Sequence, residues 1–492
     1  MARFFAIRRL LISLFFIALC SLAEAHSGKA RFHVIIDTDG AADDLRAICM
    51  LLGNREIEVL AITTSEGALT PGIAAVKVKS LLHHFYHEGI PVAAGRNLNV
   101  TPPLWRQQSE LIDWGDPSGI AVPKQTAKDL IIETIENEDE KVLFICLGTL
   151  TNLSDVLAAK PQLKDRIDKI VWYNNSANPL SGANYDNDRA SADKVLAIDI
   201  PVEMISAGKN NVIPIDEQYI QAISKVNNVY AKRIVETHNT GTLRPVVASK
   251  HMKAWDDLTV AWLFAPELFT TTEAGKNITL CSLSGADAAT KIPATITQIL
   301  AGKPDRENRV FYQFPEDPSF YAADIAVVMK DIIARHGHSE WRAGVLTNEL
   351  HGHLGIYASV GVKMGLRARE YFNIGVDDIV VVSFAGSRPP ISCMNDGLQV
   401  STGGTIGHGL ISVAAVEPIR PEATFTFKGK TIRLKLKQQY AAQIRNDVME
   451  GIRLHGNLTE AYWLHIRSLA IKYWLEFDRH QIFELYADTE SK

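Results

Sequence analysis

Cysteine is scarce here, with five residues in a chain of 492. The five are far apart and show none of the paired spacings of zinc or redox motifs. A disulfide scaffold is excluded, because a chain of this length has core enough without one. Cys49 and Cys146 lie in apolar runs and read as buried thiols. An excess of one charge is also missing: 51 Lys and Arg face 56 Asp and Glu, a formal net charge of -5. That balance gives no sign of a nucleic-acid partner. Internal repeats and low-complexity tracts are absent, which excludes solenoids and tails. The length corresponds to about two to four domains.

The one apolar run outside the fold is N-terminal. Arg3, Arg8 and Arg9 precede the apolar Leu10 to Leu19, and Ala23-Glu24-Ala25 follows as a small-x-small cleavage signal. The run is too short to span a bilayer, so residues 1–25 read as a signal peptide. Cys20 would suit a lipoprotein, but Leu19 before it is bulky. Export, cleavage after Ala25, a periplasmic location and no stable membrane insertion after cleavage are the expectations.

What is abundant is acid, in one place. Val34 to Ile36 reads as a buried strand, and Asp37, Asp39, Asp43 and Asp44 follow within eight residues, ahead of a helical pattern from Leu45. Carboxylates so crowded repel one another. A hard cation such as calcium, bound through carboxylates, carbonyls and waters, would neutralise them. An acidic turn capping a helix is the alternative, and it accounts for one or two aspartates rather than four.

From Arg31 to about Phe314, strands alternate with helix-length segments: Glu58–Thr64, Ile90–Ala94, Lys141–Leu147, Ile167–Tyr173 and Val202–Ile205 are the strands. This pattern predicts an α/β fold, a mainly parallel sheet flanked by helices. Such sheets carry their sites beyond the carboxyl ends of the strands. Polar groups gather at three other such ends: Gly148 to Asn152; Asn174, Asn175, Asn178, Asn184, Asp186 and Asp188; and Trp255-Asp256-Asp257. Each alone is also an ordinary cap or turn.

Together, four segments resemble the inosine-uridine preferring nucleoside hydrolases over residues 31–315. The family's D-x-D-P-G-x-D-D-A stands as Asp37 to Leu45, and its G-x-L-T-N as Gly148 to Asn152. Its E-F-N-x-x-x-D-P-x-A-A stands as Gly182 to Ala192, and its H-D-P-L-A-V-A as Trp255 to Ala261. The resemblance implies calcium held by Asp39, Asp44, Asp256 and the Thr151 carbonyl. It implies a calcium-bound water as nucleophile with Asp39 as its base. Asp43 and Asn184 would hold the ribose, with Asn175 and Asn178 as further sugar-side candidates. Cleavage of an N-glycosidic bond builds an oxocarbenium-like sugar that a nearby carboxylate stabilises, and a metal activates and orients the water.

The departures are specific. Gly40 and Ala41 replace the motif's Pro-Gly, Gly182 replaces its glutamate, Gly67-Ala68 replaces a usual Gly-Asn, and Trp255 replaces a histidine. Indole cannot supply a proton to the leaving base. Trp255 resembles the family's purine-specific branch, where two tryptophans sandwich the base. Trp105 is the candidate second wall and Trp114 the runner-up. Core packing of Trp255 is the competing reading.

Charge and proline between Gly302 and Tyr321 read as a linker, with linker and helix over 316–334. Residues 335–430 resemble the E-type component of formylmethanofuran dehydrogenase, a smaller α+β unit, through His351, His353, Cys393, Asp396 and Gln399. Two of that family's cysteines are Gly355 and Gly404 here. His351, His353 and Cys393 are a candidate second metal site, with zinc as the ion; a packed domain and a small-ligand pocket are the alternatives. Residues 431–492 form a basic strand and a helical tail, expected to pack on the domain or to serve a homo-oligomer. The sequence therefore predicts a calcium-dependent purine N-ribosyl hydrolase acting on a small-molecule nucleoside. A non-catalytic nucleoside- or sugar-binding protein on the same fold, or activity in a metal-binding C-terminal domain, are the rivals.

Overall fold

The computed structural model describes residues 30–208, 212–302, 310–311, 313–376 and 378–487. The expected leader, the linker segment 303–309 and Asp377 lie outside the described residues. Strands are numbered in chain order: β1 Phe32–Thr38, β2 Ile57–Thr64, β3 Val92–Ala94, β4 Val142–Cys146, β5 Ile167–Tyr173, β6 Ser176–Ala177, β7 Leu180–Ser181, β8 Val202–Ser206, β9 Phe269–Gly275 and β10 Ile278–Leu283. Eight of them form one sheet in the order β3-β2-β1-β4-β5-β8-β10-β9. All neighbours run parallel except β9, which pairs antiparallel with β10 at the edge.

The apolar runs explain this layering. β4 is buried at every position, as a strand covered on both faces must be. Ile36, Ile145 and Val171 face one apolar cluster, which includes the helices Ala42–Gly53 and Asp256–Phe264. Ile35, Phe144 and Trp172 face the other, with the helices Ala127–Asn137 and Thr151–Ala159. The β9–β10 hairpin escapes a period-based reading because β9 is exposed along most of its length.

The C-terminal region has its own core, running from Ile325 to Phe483. Its sheet contains β11 Val380–Ser383, β12 Ile411–Val413, β13 Glu422–Phe427, β14 Lys430–Leu436 and β15 Phe483–Ala487, ordered β12-β11-β13-β14-β15. The segment 431–492 is thus not an appended tail: β14 and β15 complete this sheet. Its helix Glu460–Glu476 buries Tyr473 and Trp474 in the core.

The two regions meet at the amino ends of the large sheet's strands. The amide of Gly89, just before β3, donates to the Tyr371 carbonyl at 2.9 Å. Lys428, in the β13–β14 turn, reaches Glu58 near the start of β2 and Glu138 at the end of the helix that precedes β4, at 2.5 and 2.7 Å. His87 is enclosed between the Glu370 carbonyl and the Tyr230 hydroxyl, both at 2.7 Å. Burial holds the His87 imidazole at about 4, in its neutral form.

Candidate metal and active site

The opposite pole, beyond the carboxyl ends of the strands, is where the acid collects. β1 ends at Thr38, and Gly40 then takes a left-handed φ of 80°. Proline cannot adopt that value, so this turn is built differently from the D-P-G of the motif. A side chain at Gly40 would also meet Leu69 at 2.8 Å and Ala74 at 2.9 Å. The turn sets Asp43 and Asp44 in the first turn of the Ala42–Gly53 helix. Asp256 opens the Asp256–Phe264 helix. Asp43, Asp44 and Asp256 offer one ligand oxygen each within 4.8 Å of one another.

Asp39 sits beside this trio. Its amide and the Thr38 hydroxyl both donate to Asp44 Oδ2, at 2.9 and 2.6 Å. Its carboxylate lies against Gly67, where a Cβ would fall 2.1 Å from Oδ2. Gly67 therefore makes room for Asp39. Asp37 turns inward, accepting from Thr63 and Asn152, both at 2.6 Å. Asn152, expected near a helix cap, thus ties the Thr151–Ala159 helix to β1.

Burial is the first cause of raised pKa values throughout this cluster. Asp37, Asp39 and Asp43 are pushed up to about 6, with Asp37 adding repulsion to Asp39 while Arg46 offsets part of the rise at Asp43. Asp44 and Asp256 rise well above the carboxylate range, first through burial, then through repulsion from Asp39 at Asp44 and from Asp44 at Asp256, while a hydrogen bond from Asp256 offsets part of the rise at Asp44. Two like charges about 5 Å apart repel by about 3 kcal/mol at an effective dielectric of ~20. Asp256 Oδ1 is buried with no hydrogen-bond partner, an arrangement that burial penalises unless a cation is bound. The donors are all hard oxygens, so a calcium ion fits the residues present.

The remaining expected residues divide. Thr151 is buried at the start of its helix, and its hydroxyl donates to Asp188 at 2.7 Å. Asn184 is buried and donates to the carbonyls of Leu147 and Tyr173, bracing the ends of β4 and β5 at 2.8 and 3.1 Å. Asn175 is exposed, and Asn178 is exposed at the turn between β6 and β7. Trp105 and Trp255 are 55% and 43% exposed, whereas Trp114 is 1% exposed. Trp114 packs edge-on against His238, so it is a core side chain and no wall of a pocket. Arg106, next to Trp105, donates to the carbonyls of Gly67 and Ala68 at 2.8 and 3.2 Å, beside Asp39.

The sequence reading missed a buried network behind the trio. Arg46 and Asp257 are fully buried and joined by Nε–Oδ1 and Nη2–Oδ2 contacts of 2.9 and 2.5 Å. Tyr219 donates to Asp257 at 2.8 Å, and His238 Nε2 lies 3.0 Å from Arg46 Nη1. The one available signal was a charged residue inside the apolar stretch Leu45 to Leu52.

In the C-terminal region, His351 Nδ1 is 2.7 Å from Asp396, and the His351 and His353 rings are 4.3 Å apart. His351 Nε2 is buried without a partner, and a Cβ at Gly355 would stand 3.1 Å from it. Cys393 is half-buried in a short 3-10 turn. Among the described residues, only Asp43, Asp44 and Asp256 bring three ligand atoms within 4.8 Å of one another. His351, His353 and Cys393 do not close into such a set.

Residues 34–304 match the family described as inosine-uridine preferring nucleoside hydrolase. The chain belongs to that family. Residues 350–484 match a second family, described as FmdE, molybdenum formylmethanofuran dehydrogenase operon. The pyrimidine-specific ribonucleoside hydrolase RihA of Escherichia coli O1:K1 / APEC is 30% identical over 259 residues, 49% of this chain and 82% of that protein. RihA of Shewanella baltica is 28% identical over 259 residues, 48% of this chain and 79% of its own length. Among solved structures, the inosine-uridine preferring nucleoside hydrolase of Bacillus anthracis is 18% identical with a TM-score of 0.46, covering 55% of this chain and 99% of that one. The purine-preferring ribonucleoside hydrolase of Gardnerella vaginalis is 19% identical with a TM-score of 0.44, over 55% and 99%. This nucleoside hydrolase has no described helix long and apolar enough to cross a membrane.

Proposed function

We propose that this nucleoside hydrolase cleaves purine ribonucleosides to free base and ribose, using calcium. The observation that carries the metal reading is the buried convergence of Asp43 and Asp44 with Asp256, more than 200 residues away in the chain, around an oxygen without a partner. Asp44 and Asp256 would hold the ion together with Asp39 and the Thr151 carbonyl, and Asp43 brings a further oxygen to the same set. When bound, calcium would neutralise these carboxylates, lower the pKa of a water and orient it. Asp39 takes the proton of the attacking water. Asp43 accepts hydrogen bonds from the ribose hydroxyls, and the negative field of the cluster favours the oxocarbenium-like sugar. Asn184 keeps its carbonyl oxygen for the sugar while its amide braces the strand ends.

Support for a purine comes from Trp105 and Trp255. Both are exposed, and each is one residue from a group at the site, Arg106 or Asp256. Stacking suits a flat bicyclic base. A pyrimidine is the second reading, since the RihA relatives are named pyrimidine-specific. A panel of purine and pyrimidine nucleosides, assayed for reducing sugar with and without calcium, decides between them. No release from any member would sink the enzymatic proposal. The reaction is placed after export, in the periplasm. Mature protein beginning at His26 supports that placement, and an intact leader opposes it.

A further inference from the structure

We propose that Arg46 and Asp257 form a positioning strut that sets the spacing of the metal-holding carboxylates. The inference rests on the calcium reading above. It starts from a problem in that site: Asp43 and Asp44 open one helix, Asp256 opens another, and like charges push the two helix ends apart. Within the trio a hydrogen bond between Asp44 and Asp256 opposes this, and it is lost when the two carboxylates take up an ion.

A second resisting contact lies one step further along both helices. Arg46 follows Asp44 by two residues, and Asp257 follows Asp256 directly. On each helix the acidic ligand and the strut residue therefore share the first turns but face different ways. The double contact between guanidinium and carboxylate fixes distance and orientation together. Both groups have no exposure to solvent, so neither relaxes into water. Tyr219 and His238, from two further helices, occupy Asp257 Oδ1 and Arg46 Nη1. His238 gives its Nδ1 proton to the Ile234 carbonyl at 2.8 Å, which leaves Nε2 as an acceptor for Arg46. Asp257 stands where the family motif has proline, which carries no charge to pair. The strut is a device of this chain's own residues rather than of the motif.

The test measures calcium affinity at 25 °C by titration calorimetry on the full chain after chelation, with thermal melts alongside. Arg46→Lys keeps the charge and loses the fork. Tyr219→Phe removes one hydrogen bond and no charge. Ile131→Val, in the apolar cluster on the other face of the sheet, reports what general loosening of the fold does. Arg46→Lys is expected to weaken calcium binding by about 10-fold or more, in the range seen for groups that orient metal ligands. Tyr219→Phe weakens it by a smaller factor, and Ile131→Val lowers the melting temperature without changing affinity. Wild-type affinity in both Arg46→Lys and Tyr219→Phe overturns the strut. If Arg46→Lys does not fold, Tyr219→Phe decides alone by the same criterion. A parallel loss of affinity in Ile131→Val also overturns it, since affinity would then follow stability. Wild-type protein that binds no calcium sinks the metal reading itself, a result distinct from these.

Discussion

Asp39 has to be ionised to accept a proton, yet its surroundings disfavour charge. Burial pushes its carboxyl up to about 6, and Asp37 adds to the rise. Asp39→Ala is expected to lower kcat/KM by about 100- to 10,000-fold, the range for a lost general base. Circular dichroism should show an unchanged fold, because the substitution removes a charge that burial penalises. Trp255→Ala tests the stacking wall. Losing one base–aromatic stack costs about 1–3 kcal/mol, so purine kcat/KM should fall about 10- to 100-fold and pyrimidine kcat/KM far less. Equal losses for both would refute stacking. At this scale the acid cluster was legible because four carboxylates in eight residues exceed what one helix cap needs. Arg46 was not legible, since a single charge in a helix ordinarily marks a solvent-facing position, and only the tertiary partner Asp257 shows otherwise. Asn178 stands in the turn between β6 and β7, where an asparagine near a strand end is as often a turn residue.

At the scale of elements, the helices Ala42–Gly53 and Asp256–Phe264 carry acid at their amino ends, where the helix dipole favours it. That field supports single carboxylates but not a crowd. Without an ion, Asp39 and Asp43 keep protons below about pH 6. Those protons must leave for a cation to bind. The calcium-induced rise in melting temperature therefore shrinks as pH falls through 6, and it grows above that as Asp44 and Asp256, raised further, lose their protons too. Saturating calcium at 100 times its Kd stabilises by about 2.7 kcal/mol, so the rise at pH 7.5 should be several degrees by scanning calorimetry. A rise independent of pH would mean these carboxyls do not meet the ion. Strand and helix placement was readable over most of this half, because buried parallel strands are continuous apolar runs. The exposed β9 and the short β12 lack that signature.

At the scale of the molecule, the C-terminal region docks at the end of the large sheet remote from the carboxylates. A Cβ at Gly89 would fall 2.7 Å from the Tyr371 carbonyl. Gly89→Ala should therefore loosen docking by about 1–3 kcal/mol, as overpacking does, and lower the melting temperature. Nucleoside turnover at 25 °C should be unchanged, which a parallel assay checks. The place of residues 430–487 in the second sheet was less legible: β14 pairs with β13 across a tight turn, but β15 returns to β14 only after two intervening helices.

Lys428 occupies the turn of a hairpin at φ 43°, an unusual backbone state for a residue with a side chain. Glu138, which it reaches, is opposed by burial but held at about 2 by hydrogen bonds from His33 and Lys428. With that plug and the Gly89 and His87 contacts around it, the halves are expected to cohere without their covalent connection. Protease cleavage confined to 303–309 should leave two fragments that co-elute on gel filtration and retain hydrolysis, parting company only in denaturant.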